Sequence, residues 1–354
     1  MTTPPPDLSG APDLSGTPDL SGTVDMSHGG GGRAMARLIR DIFLRHLANP
    51  LLDQGHDATR IDAGSGRIAV TTDAHVISPL FFPGGDIGSL AVHGTLNDLA
   101  MAGARPVALT AAFIIEEGFP LADLDRIAAS MGQACRAAGV PVATGDTKVV
   151  ERGKGDGVFI TTSGIGVVPA GVDIGPRRLR PGQAILLSGP IGDHGIAILS
   201  KRQGLEFGTE IRSDSAALHR MVADMVAVVP GIAVLRDPTR GGLSATLNEL
   251  TNAAGVGMLL DERAIPVRPE VAAACELLGL DPLNVANEGK LVCVCEPEDA
   301  GTLLAVMRDH AEGRDAALIG HVTVGQPGFV RMTTAIGGQR VVDWLSGEQL
   351  PRIC

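Results

Sequence analysis

The sequence predicts an α/β or α+β protein with two domains of ordinary size. Segments of helical periodicity alternate with short β-branched runs along most of the chain, which is typical of helices packed on sheets. The 354 residues, 44% of them hydrophobic, are enough to form two buried cores. A cluster of prolines and glycines between residues 169 and 182 marks the expected domain boundary.

Four segments are expected along the chain. Residues 1–25 carry a repeated Pro-Asp-Leu-Ser-Gly motif that is too polar to bury a core, so we predict disorder there. Residues 26–172 form the first predicted domain and residues 173–340 the second. Residues 341–354 lose periodicity and are predicted to form a mobile tail that carries Cys354.

The individual elements follow from periodicity and from their flanking turn residues. In the first domain we predict helices at 35–47, 90–101 and 121–138 and strands at 67–73, 107–115, 141–143 and 158–168. In the second we predict helices at 213–228 and 242–254 and strands at 184–188, 256–260 and 290–295. Cys293 and Cys295 alternate along the last strand, which predicts two buried thiols on one face.

Composition excludes several classes of function. A net charge of −11 and 3% aromatic residues do not suit a protein that binds nucleic acid. The sequence contains no apolar run long enough for a membrane span and no secretory signal. The five cysteines are scattered without C-x-x-C spacing, which fits a reducing cytoplasm.

Acidic residues at predicted strand ends and turns point to Mg²⁺ shared with phosphates. Asp73 closes a strand, Asp86 follows a Pro-Gly-Gly turn, Asn97-Asp98 lies within a helix, and Asp146-Thr147 follows a Thr-Gly pair. Each aspartate alone can instead be a helix cap or a turn residue. Asp98 is the exception, because a residue in the middle of a helix has no capping role.

Two glycine-containing motifs suit an anionic ligand. The run Gly29–Gly32 precedes a helix and can contact phosphates through backbone N–H groups, although a flexible linker explains it equally well. It is not a P-loop, because no Gly-Lys-Ser/Thr follows. The segment Asp237–Gly242 leads into another helix and carries Arg240, whose guanidinium can bind an anion.

Two further residues carry candidate chemistry. Glu288, in Asn287-Glu288-Gly289-Lys290, can be a general base or a metal ligand, or an exposed turn charge. Cys354 is the last residue, where it does not fit a prenylation box. A thiol on a tail can be carried between sites, although an incidental cysteine is the alternative.

These features together resemble the HypE family of hydrogenase-maturation proteins. The similarity spans the chain from about residue 26, and the repeat lies outside it. The matching segments are Met26–Gly32, Thr71–Asp73, Pro79–Gly85, Thr144–Val149, Asp193–Gly195, Asp237–Gly242, Asn284–Lys290, Asp315–Gly320 and Pro351–Cys354.

The resemblance implies a two-domain fold like that of aminoimidazole ribonucleotide synthetase, whose N-terminal sheet pairs with a second copy to form a barrel in a homodimer. It implies ATP with Mg²⁺ between the domains. It also implies two partners, namely the carbamoyltransferase HypF, which loads a carbamoyl group onto Cys354, and a HypC–HypD complex, which receives the cyano group on iron.

The resemblance further implies residue roles. Dehydration to a thiocyanate needs a base, for which Glu288 and Lys148 are the candidates, and Mg²⁺ is expected on Asp73, Asp98 and Asp146. The expected nucleotide-binding residues are His28, Gly30, Gly31, Gly32, Asp73, Asp86, Asn97, Asp98, Asp146, Thr147, Asp237 and Arg240.

Two rival functions stay open at this point. One is another ATP-dependent synthetase of the same fold, such as a selenophosphate synthetase, which would need no thiol at the end of the chain. The other is a non-catalytic iron or maturation scaffold, which would leave the aspartates and the Asp237–Gly242 motif without a role.

Overall fold

In the computed structural model of the chain, the described residues are 18–28, 32–52, 61, 66–205, 209–324, 328–343, 350 and 352–354. Gly30, Gly31, Pro351 and the first two copies of the repeat lie outside them. Within this part of the chain no helix is both long and apolar enough to cross a membrane.

Helices and strands alternate as predicted. The strands are β1 (Arg67–His75), β2 (Phe81–Phe82), β3 (Gly85–Asp86), β4 (Arg105–Glu116), β5 (Val142–Val150), β6 (Val158–Val168), β7 (Ala184–Leu187), β8 (Val234–Arg236), β9 (Gly257–Asp261), β10 (Val292–Cys295), β11 (Ala317–Thr323), β12 (Phe329–Thr333) and β13 (Gln339–Val341). The α-helices are α1 (Gly32–Leu38), α2 (Arg45–Leu47), α3 (Ile87–Met101), α4 (Leu121–Ala138), α5 (Asp193–Gln203), α6 (His219–Val228), α7 (Gly242–Ala254), α8 (Pro269–Leu278) and α9 (Ala300–Arg308).

The first sheet has the strand order β1-β6-β4-β5, with β4 and β5 parallel and the other pairs antiparallel. Helix α3 packs on one face of this sheet, and α4 packs on α3. A π-helical segment, Ile39–Leu44, joins α1 to α2 and places the Phe43 ring 4.7 Å from that of Phe113 on β4. Within the described part of the chain the opposite face of the sheet is open, and it exposes aliphatic side chains.

The second sheet has the order β13-β12-β9-β11-β7-β10-β8. Its two faces are buried in separate clusters, one containing Cys293 and Cys295 and the other Val292 and Val294. The prediction that both thiols are buried on one face of a strand is therefore confirmed. We propose domains at 26–172 and 173–340, which the separation of the two sheets supports.

Several predicted elements are confirmed to the residue, including α4, β6 and α7. The helix predicted at 213–228 begins only at His219, so that part of the prediction was wrong. Ser213, Asp214 and Leu218 instead make contacts with other segments, described below, that a helical backbone would not allow.

The predicted N-terminal disorder is wrong for its last residues. Val24 is fully buried, and its N–H donates to the carbonyl of Phe119 at 2.8 Å. Its carbonyl accepts from Gly118 N–H at 2.6 Å, and Thr23 forms a β-bridge with Pro120. Thr23 and Val24, within the segment predicted to be disordered, are therefore held by hydrogen bonds to the first domain.

Candidate active site

Two half-buried carboxylates meet at the contact between β1 and α3. The Thr71 hydroxyl donates to Asp98 Oδ2 at 2.7 Å, and the Thr95 hydroxyl donates to Asp73 Oδ2 at 3.4 Å. Burial raises the pKa of Asp73, and burial together with the charge of Asp73 raises the pKa of Asp98. The two aspartates predicted as metal ligands on these elements are therefore neighbours.

Asp237 and Glu288 extend this carboxylate cluster from the second domain. Burial, followed by the charge of Asp98, raises the pKa of Asp237 to about 7. Glu288 is buried, and its pKa lies well above the ordinary value because of burial and then the charge of Asp237. Each carboxylate disfavours ionisation of the others, so a bound cation would stabilise the charged form of the cluster.

Arg240 lies at the edge of the same cluster. Its side chain is exposed, and its charge lowers the pKa of Asp73, which opposes the effect of burial. The structure thus brings together Asp73, Asp98, Asp237, Arg240 and Glu288, which the sequence places in four separate segments.

Asp146 is not part of this cluster within one chain. It lies on β5, which β6 and β4 separate from β1, a distance of roughly 14 Å at the usual strand spacing. Its register with Ala112 places it on the open face, whereas Asp73 is on the face covered by α3. Among the described residues no three His, Cys, Asp or Glu side chains are close enough to hold one metal ion, so the predicted three-aspartate site is wrong for a single chain.

Lys148 and Thr147 flank Asp146 on β5. Lys148 Nζ lies 2.6 Å from Asp146 Oδ1, and this hydrogen bond lowers the pKa of Asp146. Both side chains are exposed on the open face, so one chain does not bring Lys148 to Glu288. Thr147 is buried on the other face beside Phe113, and its predicted contact with a nucleotide stays a prediction.

Asp86 and Asn97 have structural roles in this chain, and their predicted contacts with a nucleotide stay predictions. Asp86 caps α3, where its Oδ1 accepts from Gly88 and Ser89 N–H at 2.7 and 3.1 Å. Asn97 donates to the carbonyls of Ala216 and Glu288 and accepts from Leu218 N–H. Both side chains are therefore already committed to hydrogen bonds within the protein.

Asp214 is a site residue that the sequence analysis missed. Its carboxylate accepts from Glu288 N–H at 3.1 Å and from Gly289 N–H at 3.2 Å, and it pairs with buried Lys290 at 3.3 Å. A Cβ on Gly289 would lie 1.8 Å from the Asp214 carbonyl oxygen, so glycine is required there. The signal that could have revealed it is the polar triplet Ser213-Asp214-Ser215, which interrupts the helical pattern.

Asn287 joins the two motifs of the second domain. Its side-chain amide donates to the carbonyl of Pro238 at 2.9 Å, and its backbone N–H donates to the same carbonyl. This link fixes the segment that carries Glu288 beside the segment that carries Asp237 and Arg240.

Cys354 is docked beside the end of β1. Val76 N–H donates to the main-chain oxygen of Cys354 at 3.0 Å, and Ser78 N–H donates to the carbonyl of Arg352 at 3.2 Å. Ile353 is buried, and Arg352 Nη1 lies 2.5 Å from Asp156 Oδ2. Residues 352–354 thus form hydrogen bonds along residues 76–78, and the predicted mobility of the tail stays a prediction.

His28 ends a 3₁₀ turn just before the glycine run, and its Nδ1 accepts from Asp25 N–H at 3.1 Å. Gly32 opens α1. Their contacts with a phosphate stay predictions, as do those of Gly30 and Gly31, which lie outside the described residues.

Two family descriptions match the chain. Residues 55–168 match the "AIR synthase related protein, N-terminal domain", and residues 180–333 match the corresponding C-terminal domain. A thiamine-monophosphate kinase from Stenotrophomonas maltophilia has a similar structure at 20% identity, with a TM-score of 0.61 over 78% of this chain and 89% of that one. The predicted two-domain synthetase fold is thereby confirmed.

Much closer relatives are proteins named carbamoyl dehydratase HypE. That of Cupriavidus necator is 66% identical over 92% of this chain and 93% of its own length. That of Azotobacter vinelandii is 65% identical over 92% of this chain and 96% of its own.

Solved HypE structures agree with this. HypE in complex with ATP has a TM-score of 0.90 at 51% identity, covering 93% of this chain and 99% of that one. A chain of a HypE–HypF complex has a TM-score of 0.77 at 46% identity, covering 87% and 99%. The chain therefore belongs to the HypE family of hydrogenase-maturation proteins.

Proposed function

We propose that the protein is an ATP-dependent carbamoyl dehydratase that converts an S-carbamoyl group on Cys354 into a thiocyanate. The observation that carries this proposal is the docking of the last residues along Val76–Ser78, directly after the strand that carries Asp73. It supports a reaction in which the substrate is attached to the end of the chain. The relatives named carbamoyl dehydratase HypE, and the HypE structure that contains ATP, support the same activity.

The reaction replaces hydroxide, a poor leaving group, with phosphate, a good one. The carbamoyl oxygen attacks the γ-phosphorus of ATP, the bond to ADP breaks, and the oxygen becomes part of a phosphate ester. Removal of the two protons on nitrogen then forms the C≡N triple bond as phosphate leaves. The products are S-cyanated Cys354, ADP and phosphate.

Mg²⁺ fits the pair Asp73 and Asp98. Burial raises the pKa of both carboxylates, and the charge of Asp73 also raises that of Asp98, so the pair is suited to a divalent cation. Mg²⁺ commonly takes one or two carboxylates together with phosphate oxygens and water. When bound, the ion would neutralise charge on the transferred phosphoryl group. Arg240 and Asp237 flank the same place and are proposed to orient the nucleotide.

Glu288 is the proposed base for removal of the nitrogen protons. A buried carboxylate with a raised pKa is a stronger base than an exposed one. Asp214 and Asn287 hold its backbone, so the carboxylate is positioned before the substrate arrives.

A homodimer would give Asp146 and Lys148 a role at the site. They lie on the open face of the first sheet, which also exposes Ile68, Val70 and Ile114 at 62%, 70% and 42%. An aliphatic sheet face of this kind suits burial against a second copy. We propose that the Asp146–Lys148 pair of one chain serves the site of the other.

The proposed partners supply and receive the group on Cys354. A carbamoyltransferase of the HypF type loads the carbamoyl group, which the HypE–HypF complex supports. A HypC–HypD complex is the proposed acceptor of the cyano group on iron. We place these steps in the cytoplasm, whose reducing conditions suit five cysteines without disulfides.

Intact mass spectrometry tests this function. The protein is incubated with the carbamoyltransferase, carbamoyl phosphate and Mg-ATP, beside a Cys354→Ala variant and a Cys275→Ala control. We expect the mass to rise by one carbamoyl group and then to fall by one water, only with ATP and only when Cys354 is present. ATP hydrolysis without any adduct on Cys354 would instead favour another synthetase of this fold.

A further inference from the structure

His194 connects the docked tail to the body of the protein. Its side chain is fully buried at the start of α5, with Nε2 2.6 Å from the Ile353 carbonyl oxygen and Nδ1 2.7 Å from Ser213 Oγ. A carbonyl can only accept, so Nε2 carries the hydrogen and Nδ1 accepts from the Ser213 hydroxyl. The ring also meets Phe82 edge-on at 5.7 Å. One imidazole thus bridges the tail and the segment that begins at Ser213.

The Ser213 side of this bridge leads directly to Glu288. Ser213 Oγ also accepts from Ser215 N–H at 3.1 Å, which fixes the turn around Asp214. The Asp214 carboxylate in turn accepts the backbone N–H groups of Glu288 and Gly289. The tail carbonyl is therefore connected to the backbone of the proposed base by hydrogen bonds on either side of one covalent link, from Ser213 to Asp214.

Backbone groups on either side of His194 also connect the tail to the segment that carries Glu288. Gly195 N–H donates to the carbonyl of Ala286 at 3.1 Å, and Gly192 N–H donates to Asn287 Oδ1 at 2.7 Å. A Cβ on Gly195 would lie 3.0 Å from Leu350 Cδ1, so the tail packs against this turn. The first turn of α5 thus touches the tail on one side and the Glu288 segment on the other.

We propose that His194 is a positioning residue that couples docking of the tail to the placement of Glu288. When Ile353 docks, Nε2–H has its acceptor, the ring orientation is fixed, and Ser213 is held so that Asp214 clamps the Glu288 segment. The base is then in place when the carbamoylated thiol is present. This inference rests on the proposed function, because it assigns Glu288 the part of the base.

Three substitutions separate the two sides of the bridge. His194→Gln places an amide near the position of Nε2 and keeps a donor for Ile353. His194→Asn places its amide near the position of Nδ1 and keeps a partner for Ser213. His194→Ala removes both contacts, and His310→Ala, at a histidine that pairs with Asp224 elsewhere, is the control.

Amide hydrogen exchange reports the coupling without ATP or a carbamoyl group. Val76 and Ser78 N–H report tail docking, and Glu288 and Gly289 N–H report the clamp of Asp214. We expect His194→Gln to speed exchange mainly at the second pair, whereas His194→Asn and His194→Ala speed it at both pairs, because loss of tail docking also releases the clamp. Unchanged exchange at Glu288 and Gly289 in both His194→Gln and His194→Ala would overturn the proposal.

Single-turnover dehydration of carbamoylated protein completes the test. We expect each substitution to slow dehydration by about tenfold to a hundredfold with ATP affinity unchanged, because the base or the docked tail is displaced. Dehydration at the parent rate in His194→Ala would overturn the coupling. If the parent protein itself forms no thiocyanate, the proposed function fails, and the exchange data then decide separately whether His194 links the two segments.

Discussion

Val76 donates its backbone N–H to the main-chain oxygen of Cys354, and the two atoms are 3.0 Å apart. Val76 lies three residues beyond Asp73, so the last residue of the chain is held next to the strand end that carries a proposed Mg²⁺ ligand. Arg352 adds an ion pair with Asp156 and donates from Nε to the Val76 carbonyl at 3.0 Å. The chain itself thus holds its last residue beside the end of the strand that carries Asp73, and the following predictions test the parts of that arrangement.

Substitution of Glu288 by Gln removes the proposed base while keeping a side chain of the same size. We expect dehydration to slow by about a hundredfold to ten thousandfold, which is the usual contribution of a general base. ATP affinity should change little, because the backbone contacts of the segment remain. Rapid-quench assay of thiocyanate gives the rate, and Glu276→Gln, at an exposed residue of α8, is the control. A Glu288→Gln protein that dehydrates at the parent rate would rule out this role.

Asp98 and Asp86 provide a matched pair of substitutions. Asp98→Asn should raise the Mg²⁺ concentration needed for half-maximal ATP hydrolysis at least about tenfold, since one of two proposed ligands loses its charge. Asp86→Asn should leave the Mg²⁺ dependence unchanged and lower the free energy of unfolding by about 1 kcal/mol at most, because Asp86 caps α3. Equal Mg²⁺ dependence in both variants would contradict the proposed ligand set.

Loss of Asp214 should destabilise the protein. Asp214 and Lys290 are a buried pair with 3% and 7% side-chain exposure, so removing one partner leaves the other charge uncompensated. We expect Asp214→Ala to lower the free energy of unfolding by about 3–5 kcal/mol in urea titrations. Adding Lys290→Met should recover part of this loss. A double variant that is less stable than Asp214→Ala would show that the lysine charge is not the cause.

The buried His194 ring, which links Ile353 to Ser213, predicts that the folded protein loses stability as the pH falls. Burial lowers the pKa of His194 below its ordinary value of 6.5, although the charge of Asp214 and the hydrogen bond to Ile353 act in the opposite direction. The folded protein therefore keeps a neutral ring that an unfolded chain would protonate. The resulting stability is complete above pH 6.5 and is lost as the pH falls from there towards the lower folded pKa.

The direction of this change in stability can be measured by urea unfolding at about pH 7.5 and about pH 5.5. His75 and His93, whose pKa values burial lowers to about 4, contribute in the same direction, so the comparison is made against His194→Gln. We expect the parent protein to lose more stability on acidification than His194→Gln does. Equal losses would show that His194 contributes nothing to the acid sensitivity.

The open face of the first sheet predicts the effect of a charge on dimerisation. Val70 is 70% exposed on β1, and a lysine there would be buried between two copies. Sedimentation should show that Val70→Lys shifts the protein towards monomer, whereas Leu277→Lys on α8, at 75% exposure, does not. A Val70→Lys protein with the parent mass in solution would contradict the proposed interface.

The parts of the fold that the sequence predicts well are those that local signals determine. Helix α4 has strong amphipathic spacing and ends at Gly139, whose φ of 75° few other residues adopt, so both of its ends are predicted correctly. Helix α5 was not predicted, because Asp193–Leu199 are all buried and so lack the alternation of exposed polar and buried apolar residues that marks a helix. The helical pattern after Ser213 was misleading, because that segment instead contacts Glu288 and Asn97.

The residues of the site divide in the same way, into those that local motifs predict and those whose roles depend on the fold. Asp73, Asp98, Asp237, Arg240 and Glu288 were predicted from motifs, and the fold brings them together. Asp86, Asn97 and Thr147 lie in the same kinds of motif, but their roles depend on which neighbours the fold supplies. Asp146 shows the limit most clearly, because only the strand order places it on the other face and at the other edge of the sheet.

The most direct test of the whole account is a single turnover of carbamoylated protein with ATP, in which phosphate and S-cyanated Cys354 are quantified in the same samples. The account predicts that both products form together, with one phosphate for each cyano group. It also predicts that Glu288→Gln forms the cyano group far more slowly than the parent protein does. Phosphate release at full rate with the carbamoyl group intact on Cys354 would contradict it.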